Sequence, residues 1–355
     1  MIVDDIQKKK TKDMVYAAFG EIMLRLASPG FERLLQSPIL SATFGGGEAN
    51  VLVSLAALGL RARYISALPK NEIGLAALAQ LKGFGIDTDH IVMTPGARMG
   101  IYFIEKGANQ RPSRVIYDRM PSAIAEIEPG AVDWDKGLAD CGWFHVTGIT
   151  PALSKSAADA AKTAVLTAKK RGLTVSIDLN FRSKLWKWGK TAPEVMGDLV
   201  TFADVIVANE EDCQKALGIG VEVDPGSGVI DRSRYERLTG EVLSRYPNVK
   251  LIAITLRESV SASHNRWSAV ASDGKETLFS RKYDITHVVD RVGSGDAFAA
   301  GLIYGLSNLA DLGRALEFAA AASCLAHSIE GDFNRSTLEE VMSLAEGEAT
   351  GRIKR

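Results

Sequence analysis

The feature that most constrains this chain is an alternation of short apolar segments with longer amphipathic ones, which continues through most of its length. The short segments are rich in β-branched residues, as buried strands are, and the longer ones have helical periodicity. Strands that alternate with helices build βαβ units, so the sequence predicts an α/β protein with a mainly parallel sheet and helices on both faces. The strand candidates are residues 64–67, 143–146, 173–177, 205–207 and 251–255. The helix candidates are residues 48–58, 73–82, 155–170, 192–202, 295–306, 311–327 and 336–345.

Two stretches interrupt this alternation, at residues 22–43 and 100–118. In the second stretch, apolar residues such as Ile101, Phe103 and Tyr117 alternate with other residues and are separated by turn-forming ones, which indicates short strands. Both stretches lie between units of the main sheet. We therefore predict that they form a small β-sheet that acts as a lid over the edge of the main sheet.

The chain is predicted to form one domain over residues 14–346, which includes the two lid segments, with polar tails at 1–13 and 347–355. Hydrophobic residues make up 46% of the chain, which is enough for a real core. The first 13 residues contain four lysines but no apolar run of the kind found in signal peptides, and no segment is apolar enough to span a membrane. The three cysteines have no metal-ligand spacing and are expected to be reduced, as in a cytoplasmic protein.

Charge also limits the class of partner. The 42 Lys and Arg residues almost balance the 43 Asp and Glu residues, so the chain has no overall attraction to nucleic acid or to an anionic membrane. We expect a small molecule as the ligand.

A glycine-rich segment, Gly293-Ser294-Gly295-Asp296, follows a strand-like stretch at residues 287–289 and opens a helix of small residues. Free amides at a helix N-terminus bind anions, and glycines let the backbone approach a phosphate. A carboxylate at this place is positioned to take a proton from an attacking hydroxyl. An ordinary first-turn acid that the helix dipole favours is an equally good interpretation of the spacing alone. The segment has no Lys-Ser/Thr of a Walker A loop and no third glycine of a dinucleotide-binding fingerprint.

A second glycine cluster precedes another helix and adjoins the predicted lid. Its glycines leave room for a polyhydroxy ligand, and Asn50 offers a donor and an acceptor that suit a sugar hydroxyl. A plain strand-to-helix turn explains the glycines equally well. The cluster consists of Gly45, Gly46 and Gly47.

Together and in this order, the two glycine clusters resemble the two signatures of the PfkB (ribokinase-like) family of carbohydrate kinases, and the resemblance spans nearly the whole chain. Four shorter segments resemble the members of that family that phosphorylate 2-keto-3-deoxygluconate. These segments are residues 19–26, 101–103 with 117–119, 144–149 and 178–186.

The resemblance implies a ribokinase-like fold and a set of roles. Asp296 is expected to be the general base, and the amides of Gly293, Ser294 and Gly295 are expected to form the anion hole. The residues implied to hold the sugar are Gly45, Gly46, Gly47 and Asn50, with Tyr102 and Tyr117 closing over it from the lid.

A neutral sugar needs only hydroxyl contacts, whereas a sugar acid has a carboxylate that guanidinium groups bind well. Arg119 and Arg182 match positions where the 2-keto-3-deoxygluconate kinases are similar, so the resemblance implies that they bind such a carboxylate. The alternative is that each is a surface arginine paired with an acid. Asp332 is a further candidate for the substrate side.

For the phosphate donor, the resemblance implies ATP with Mg²⁺, and in some relatives a monovalent cation beside the second glycine segment. The chain departs from the family pattern in having Asp212 for a glutamate, Arg291 for a small threonine, and no glycines after Thr255. A carboxylate one methylene shorter still reaches Mg²⁺ through water, while Asn209 is also a plausible helix cap. No direct metal ligand is assigned. The implied nucleotide-side residues are Asn180, Asn209, Asp212, Thr255, Arg257, Gly293 and Gly295.

The leading hypothesis is therefore ATP-dependent phosphorylation of 2-keto-3-deoxy-D-gluconate to its 6-phosphate, with the galactonate epimer left open. One alternative is a kinase of the same family for a neutral sugar, fructose or ribose. Another, of a different class, is a sugar or nucleotide sensor without catalysis, although such a protein would be expected to lack the aspartate or the anion hole. Apolar residues alternate along the lid, as they do on one face of a strand, and we therefore also predict a homodimer that forms through the lids. The alternating apolar residues are Ile22, Leu24, Leu26, Ile101 and Phe103.

Overall fold

The computed structural model describes residues 2–9, 13–220 and 231–348. In chain order, its strands are β1 (Val15–Phe19), β2 (Met23–Ala27), β3 (Ser41–Gly45), β4 (Arg61–Pro69), β5 (Ile91–Thr94), β6 (Ile101–Glu105), β7 (Arg114–Asp118), β8 (Cys141–Thr147), β9 (Thr174–Asp178), β10 (Val205–Ala208), β11 (Leu251–Ser259), β12 (Asn265–Ser272), β13 (Thr277–Phe279) and β14 (Tyr283–Ile285). Its helices are α1 (Ile2–Lys9), α2 (Gly47–Ala57), α3 (Glu72–Gly83), α4 (Trp134–Gly137), α5 (Ile149–Leu153), α6 (Lys155–Lys170), α7 (Ala192–Val200), α8 (Glu210–Leu217), α9 (Arg232–Arg245), α10 (Ser294–Asn308), α11 (Leu312–Ala326) and α12 (Leu338–Glu346).

Within the described residues, ten strands form the main sheet, in the order β13-β12-β11-β10-β9-β8-β1-β4-β5 with β14 paired to β12. The strands from β5 to β11 in this order are parallel, and β12 joins β11 antiparallel. The predicted mainly parallel sheet is confirmed. The strand-like stretch at 287–289 is not a strand, because Val288 and Val289 donate their amides to the carbonyls of Ser263 and His327 rather than to a neighbouring strand.

Helices cover both faces of this sheet, as predicted. Side chains of β1 alternate between two apolar clusters: Tyr16 and Ala18 belong to the cluster that contains α2, α10 and α11, while Ala17 and Phe19 belong to the cluster with α6 to α9. This alternation is the period of two that an extended strand imposes. Within the described part of the chain, no helix has the length and apolar character that crossing a membrane requires.

The two interrupting stretches form a separate four-stranded sheet with the order β3-β2-β6-β7, which confirms the predicted small sheet. β2 and β6 pair in parallel, and β3 and β7 flank them antiparallel. On its inner face, Met23, Tyr102 and Ile104 form a small buried cluster. We call this sheet the lid.

The N-terminal segment differs from the predicted polar tail. Residues 2–9 form helix α1, and Ile2, Val3 and Ile6 are buried in the core beside α10. Four lysines hide this pattern in the sequence, although the three apolar residues lie on one helical face. At the other end, α12 ends at Gly347, which adopts a left-handed conformation (φ 103°). Residues 349–355 of the predicted C-terminal tail lie outside the described residues.

Candidate active site

A cavity of about 600 Å³ lies at the carboxyl ends of the parallel strands, beneath the lid. Active sites of open α/β sheets are found at this edge. The cavity brings together every site residue predicted from the sequence except Gly45. Gly45 packs against Asp332, which does line the cavity, and an added Cβ on Gly45 would lie 2.2 Å from Oδ2 of Asp332.

Asp296 lies in the first turn of α10, behind the glycine segment. Gly293 caps this helix with φ 83°, and an added Cβ there would lie 2.2 Å from the carbonyl oxygen of Asp332, so only glycine fits. Asp296 is buried, and burial raises the pKa of its carboxyl to about 6, although a hydrogen bond from Asn50 acts in the opposite direction. The site therefore places a weakly basic carboxylate beside the free amides of a helix N-terminus.

Asn50 connects the two glycine clusters. Its Nδ2 donates to Oδ2 of Asp296 at 2.7 Å, and its Oδ1 accepts from the amide of Gly46 at 3.1 Å. An added Cβ on Gly47 would lie 3.7 Å from Asp296 and 3.1 Å from Thr147, so the first helical turn of α2 lies close to both residues. Each polar group of Asn50 has one partner within the protein, which leaves one N–H and one acceptor site for the expected sugar hydroxyl.

Glu48 lies outside the cavity and supports its wall, a role that the sequence did not indicate. It is buried, and its Oε1 accepts from the amide and the hydroxyl of Thr147 and from the hydroxyl of Thr150, at 2.8 to 2.9 Å. Burial raises the pKa of this carboxyl to about 7. Glu48 holds the start of α2 against the end of β8. Its position directly after three glycines was the available signal.

Arg25 is a second residue that was missed, and it lies on the inner face of the lid strand β2. Its guanidinium donates to Asp332 at 2.6 Å and also pairs with Asp290, and all three side chains are buried. The hydroxyl of Tyr102 donates to the same oxygen of Asp332 at 2.5 Å. Burial raises the pKa of Asp332, while the charge of Arg25 lowers it. Asp332 lines the cavity as predicted, but its Oδ1 is occupied by these two partners.

The two predicted carboxylate-binding arginines differ in their surroundings. Arg119 is buried, and it donates through Nε to Glu21 at 2.9 Å and pairs with the same carboxylate through Nη2. Its guanidinium carbon lies 5.4 Å from the ring centre of Tyr117. Arg182 is exposed and donates to the carbonyl of Phe181 at 2.9 Å, and it forms no ion pair within the described residues. Arg182 is thus the guanidinium with capacity left for a ligand.

Among the residues implied to contact the nucleotide, Asn209 is a helix cap, which confirms the alternative interpretation of this residue. Asn209 caps α8, and the carboxylate of Asp212 accepts from the amide of Asn209 at 2.9 Å and from the amide of Phe181 at 2.8 Å. Burial raises the pKa of Asp212. Asn180 has φ 33°, and its Oδ1 is buried without a hydrogen-bond partner while the residue lines the cavity.

These oxygens decide whether a metal ion fits the cavity. Within the described residues, no group of three or more His, Cys, Asp or Glu side chains is close enough to hold a metal ion. Mg²⁺ usually keeps several waters and is held by one or two protein oxygens together with substrate phosphates. The orphan Oδ1 of Asn180 and the neighbouring carboxylate of Asp178 fit that pattern. Asp178 was missed from the sequence; burial, then the charges of Asp212 and Asp296, raise its pKa well above the usual range.

The strand predicted over residues 251–255 is longer in the structure. β11 continues to Ser259, and the segment pairs with β12 from Ile252 to Ser259. The two glycines that would end a strand here are missing, and Leu256 is buried, so the hairpin simply continues. Thr255 and Arg257 still line the cavity, now as strand residues.

A mainly parallel sheet, a small-sheet lid and a buried aspartate behind a helix-opening glycine segment define the ribokinase-like fold. The family model described as "pfkB family carbohydrate kinase" matches residues 16–225 and 250–336. This chain belongs to the PfkB family of carbohydrate kinases.

Individual relatives narrow the comparison. The crystal structure of a 2-dehydro-3-deoxygluconokinase from Thermotoga maritima is 46% identical and superposes with a TM-score of 0.88, covering 94% of this chain and 98% of that one. A 2-dehydro-3-deoxygalactonokinase from Haloferax volcanii is 31% identical over 333 residues, which are 94% of this chain and 97% of the relative. A ribokinase II structure from Escherichia coli in complex with ATP and Mg²⁺ shares the fold, with 22% identity and a TM-score of 0.76 over 94% of this chain and 99% of that one.

Proposed function

We propose that this protein transfers the γ-phosphoryl group of ATP to the 6-hydroxyl of 2-keto-3-deoxy-D-gluconate. The observation that carries the proposal is the position of Asp296, which is buried at the start of α10 with a pKa raised to about 6. The names of the relatives supply the acceptor, since one is a 2-dehydro-3-deoxygluconokinase and another is the corresponding galactonokinase.

In the proposed mechanism, Asp296 takes the proton of the 6-hydroxyl while that oxygen attacks the γ-phosphorus and the bond to ADP breaks. A carboxyl with a pKa of about 6 is ionised at neutral pH and basic enough to accept this proton. The amides of Gly293, Ser294 and Gly295, aided by the positive end of the α10 dipole, stabilise the charge on the transferring group. Mg²⁺, when bound, neutralises phosphate charge. Asn50 holds Asp296 in place.

The remaining residues divide between the two substrates. We propose that Arg182 binds the carboxylate of the sugar acid and that Arg119, held by Glu21, presents its remaining N–H group to the same ligand. Tyr102 and Tyr117, whose ring centres are 6.0 Å apart, cover the sugar from the lid, which excludes water and limits ATP hydrolysis. The glycines Gly45, Gly46 and Gly47 leave space for its hydroxyls. Asn180, Asn209, Asp212 and Thr255 serve the ATP and Mg²⁺ side.

Among the described residues, Asp290 is the carboxylate directly before the glycine segment, and both of its oxygens are already occupied. Asp290 accepts through Oδ1 from the amides of Arg291 and Val292, and through Oδ2 from Arg25 and the amide of Gly331. We therefore expect exchange of potassium for tetramethylammonium to change turnover little. A tenfold or larger loss without potassium would show that a cation does bind here.

We further propose that the protein is a cytoplasmic homodimer joined through the lids. The outer lid face carries half-buried Leu24, Leu26, Ile101 and Phe103, next to Ile116, which is 55% exposed. A partner subunit commonly packs on an apolar sheet face of this kind. Ile22 does not belong to this face, because it is buried in the core. Light scattering of the purified protein is expected to give twice 38.1 kDa, and a single-chain mass would refute the dimer.

ADP release from ATP and Mg²⁺ across a panel of acceptors tests the function. The panel is 2-keto-3-deoxygluconate, 2-keto-3-deoxygalactonate, gluconate, fructose and ribose, with Asp296→Asn as the control. Turnover with the keto-deoxy acids alone is the expected result. The ratio of the kcat/KM values for the gluconate and galactonate epimers then shows which of the two is the preferred acceptor. Turnover on fructose or ribose would favour the neutral-sugar alternative. No turnover on any acceptor, with ligand binding intact, would favour the sensor.

A further inference from the structure

Two arginines, Arg257 and Arg291, lie near each other, and only Arg257 is among the residues that the resemblance implies for the nucleotide side. Arg257 lies on β11 and is exposed, and Arg291 lies in the segment before α10 and is half-buried. Both line the cavity. Burial lowers the pKa of Arg291, and the positive charge of nearby Arg257 lowers it further.

Neither guanidinium forms an ion pair with a carboxylate in the part of the chain that the structure describes. Other arginines removed from solvent are paired: Arg63 with Asp87 and Asp140, and Arg119 with Glu21. Asp290 is close to Arg291, but its oxygens already accept from Arg25 and from three backbone amides. The cavity thus contains two adjacent positive charges that the protein itself does not neutralise.

The position of Arg291 is nevertheless fixed. Its Nη2 donates to the carbonyl of Ala262, at the turn of the β11–β12 hairpin, at 2.6 Å. This turn is held by the lid, because Ala262 donates its amide to the carbonyl of Asn109 at 2.7 Å and Asn109 donates its amide to Ser263 at 3.0 Å. A neutral acceptor orients the guanidinium without cancelling its charge, which is the arrangement of a prepared anion site.

We propose that Arg257 and Arg291 form a two-arginine clamp that binds the polyphosphate chain of the donor nucleotide. This inference rests on the proposed function in that ATP is taken as the donor. The clamp lies on the donor side because Arg291 directly precedes the glycine segment whose helix-start amides are proposed to hold the transferring phosphoryl group, and Arg257 lies two positions after Thr255 on the same cavity wall.

The clamp predicts that the donor is recognised largely through its phosphates. Arginine forks bind phosphate with two hydrogen bonds, and a lysine supplies only a point charge. Two guanidinium groups also relieve their mutual repulsion when an anion enters between them. The carboxylate of the sugar acid has the same charge chemistry as a phosphate, so the experiment must separate the two ligands.

Calorimetric binding of three probes separates them: sodium tripolyphosphate, adenosine and 2-keto-3-deoxygluconate, each alone. The variants are Arg257→Met, Arg291→Met and Arg291→Lys, with Arg266→Met as the matched control. Arg266 is a half-exposed arginine of the adjacent strand β12 and does not line the cavity. Arg257→Met changes an exposed position, so folding of this variant is secure even where Arg291→Met destabilises the chain.

Each methionine variant is expected to weaken tripolyphosphate binding about tenfold or more, the usual effect of losing a hydrogen bond to a charged group. Arg291→Lys should retain part of the affinity, and the control should match the wild type. Binding of adenosine and of the keto acid should not change. Unchanged tripolyphosphate binding in the Arg257 variant overturns the proposal, as does equal weakening of adenosine. A selective loss of keto-acid binding would overturn it by giving the pair to the acceptor.

Failure of the clamp and failure of the proposed function give different results in these experiments. Tripolyphosphate binding needs no acceptor, and the acceptor panel uses only the wild type and Asp296→Asn. The clamp can therefore fail while the kinase activity stands, and the acceptor can prove different while the clamp stands.

Discussion

The side-chain amide of Asn50 donates to Oδ2 of Asp296 at 2.7 Å, although the two residues are 246 positions apart in the chain. One belongs to the helix that follows the first glycine cluster, and the other to the helix that follows the second. The two clusters therefore form one site, in which the first orients the carboxylate that the second carries. Asn50 is therefore placed to position the proposed base.

Replacement of Asp296 by asparagine should abolish most turnover and leave the fold intact. The amide oxygen can still accept from Asn50, but the side chain no longer accepts the proton of the substrate hydroxyl. Loss of a general base usually lowers kcat by about 10²–10⁴-fold. Steady-state kinetics with the keto acid and ATP measure the loss, and circular dichroism checks the fold. Near wild-type turnover would contradict the assignment of the base.

The pH dependence of kcat/KM is expected to show an acid limb near pH 6. Burial raises the pKa of Asp296 from 3.8 to about 6, so the base becomes protonated as the pH falls through that value. The hydrogen bond from Asn50 lowers this pKa, so Asn50→Ala should move the limb to higher pH. An acid limb that does not move in Asn50→Ala would show that another group limits the rate.

The same pKa shift has a consequence for stability. A carboxyl whose pKa is raised by folding contributes its stability at low pH and loses it as the pH rises through the folded-state value. Asp296→Asn should therefore be more stable than the wild type above pH 6, by up to about 3 kcal/mol from a shift of about two pH units, and similar to it below pH 4. Urea denaturation at pH 4 and pH 8 tests this expectation, and a difference that is independent of pH would contradict it.

Arg182 and Arg119 should respond differently to replacement. Arg182→Met removes an exposed guanidinium and is expected to raise KM for the keto acid about tenfold or more, with little change in stability. Lys184→Met, an exposed cation of the same segment outside the cavity, is the matched control. An unchanged KM in Arg182→Met would remove this residue from the acceptor site.

Arg119→Met leaves the carboxylate of Glu21 buried without its partner, and this should destabilise the protein by about 3–5 kcal/mol. The double variant with Glu21→Gln should recover most of that loss, because no buried charge remains. Urea denaturation of both variants measures the difference. Equal stability of the single and double variants would show that the pair does not act as a unit.

Gly20 is expected to tolerate no side chain. An added Cβ would lie 2.0 Å from Oε2 of Glu48, whose carboxylate is fixed by Thr147 and Thr150 and cannot move aside. Gly20→Ala should lower the free energy of unfolding by about 1–3 kcal/mol or more. Gly83→Ala is the control, because nothing lies within 4 Å of its added Cβ and the residue is helical. Thermal denaturation distinguishes the two variants.

The sequence predicted those parts of the molecule that depend on local periodicity. Apolar runs of the parallel strands, the interrupted pattern of the lid and the glycines before α2 and α10 all have local signals. The cavity at the carboxyl ends of the strands follows from the topology of such sheets. Helix α1 was missed because its three apolar residues are too few to stand out among lysines.

Charged side chains inside the protein were the main omission, for a physical reason. Arg25, Glu48 and Asp178 are buried, yet a buried charge looks the same in a sequence as an exposed one. Its burial depends on a partner that the fold brings from elsewhere, such as Asp290 for Arg25. The pairing of Arg119 with Glu21 is of the same kind: the residue was predicted, and its partner was not.

The buried ion pairs of Arg25 determine which part of the lid is able to open. Because Arg25 joins β2 to Asp290 and Asp332, any outward swing of β2 would separate opposite charges in the protein interior, where water does not replace their partners. β2 is therefore the strand by which the lid is fixed to the main domain. β7 is the free edge of the lid, where Tyr117 is 43% exposed, and we expect the sugar to enter there.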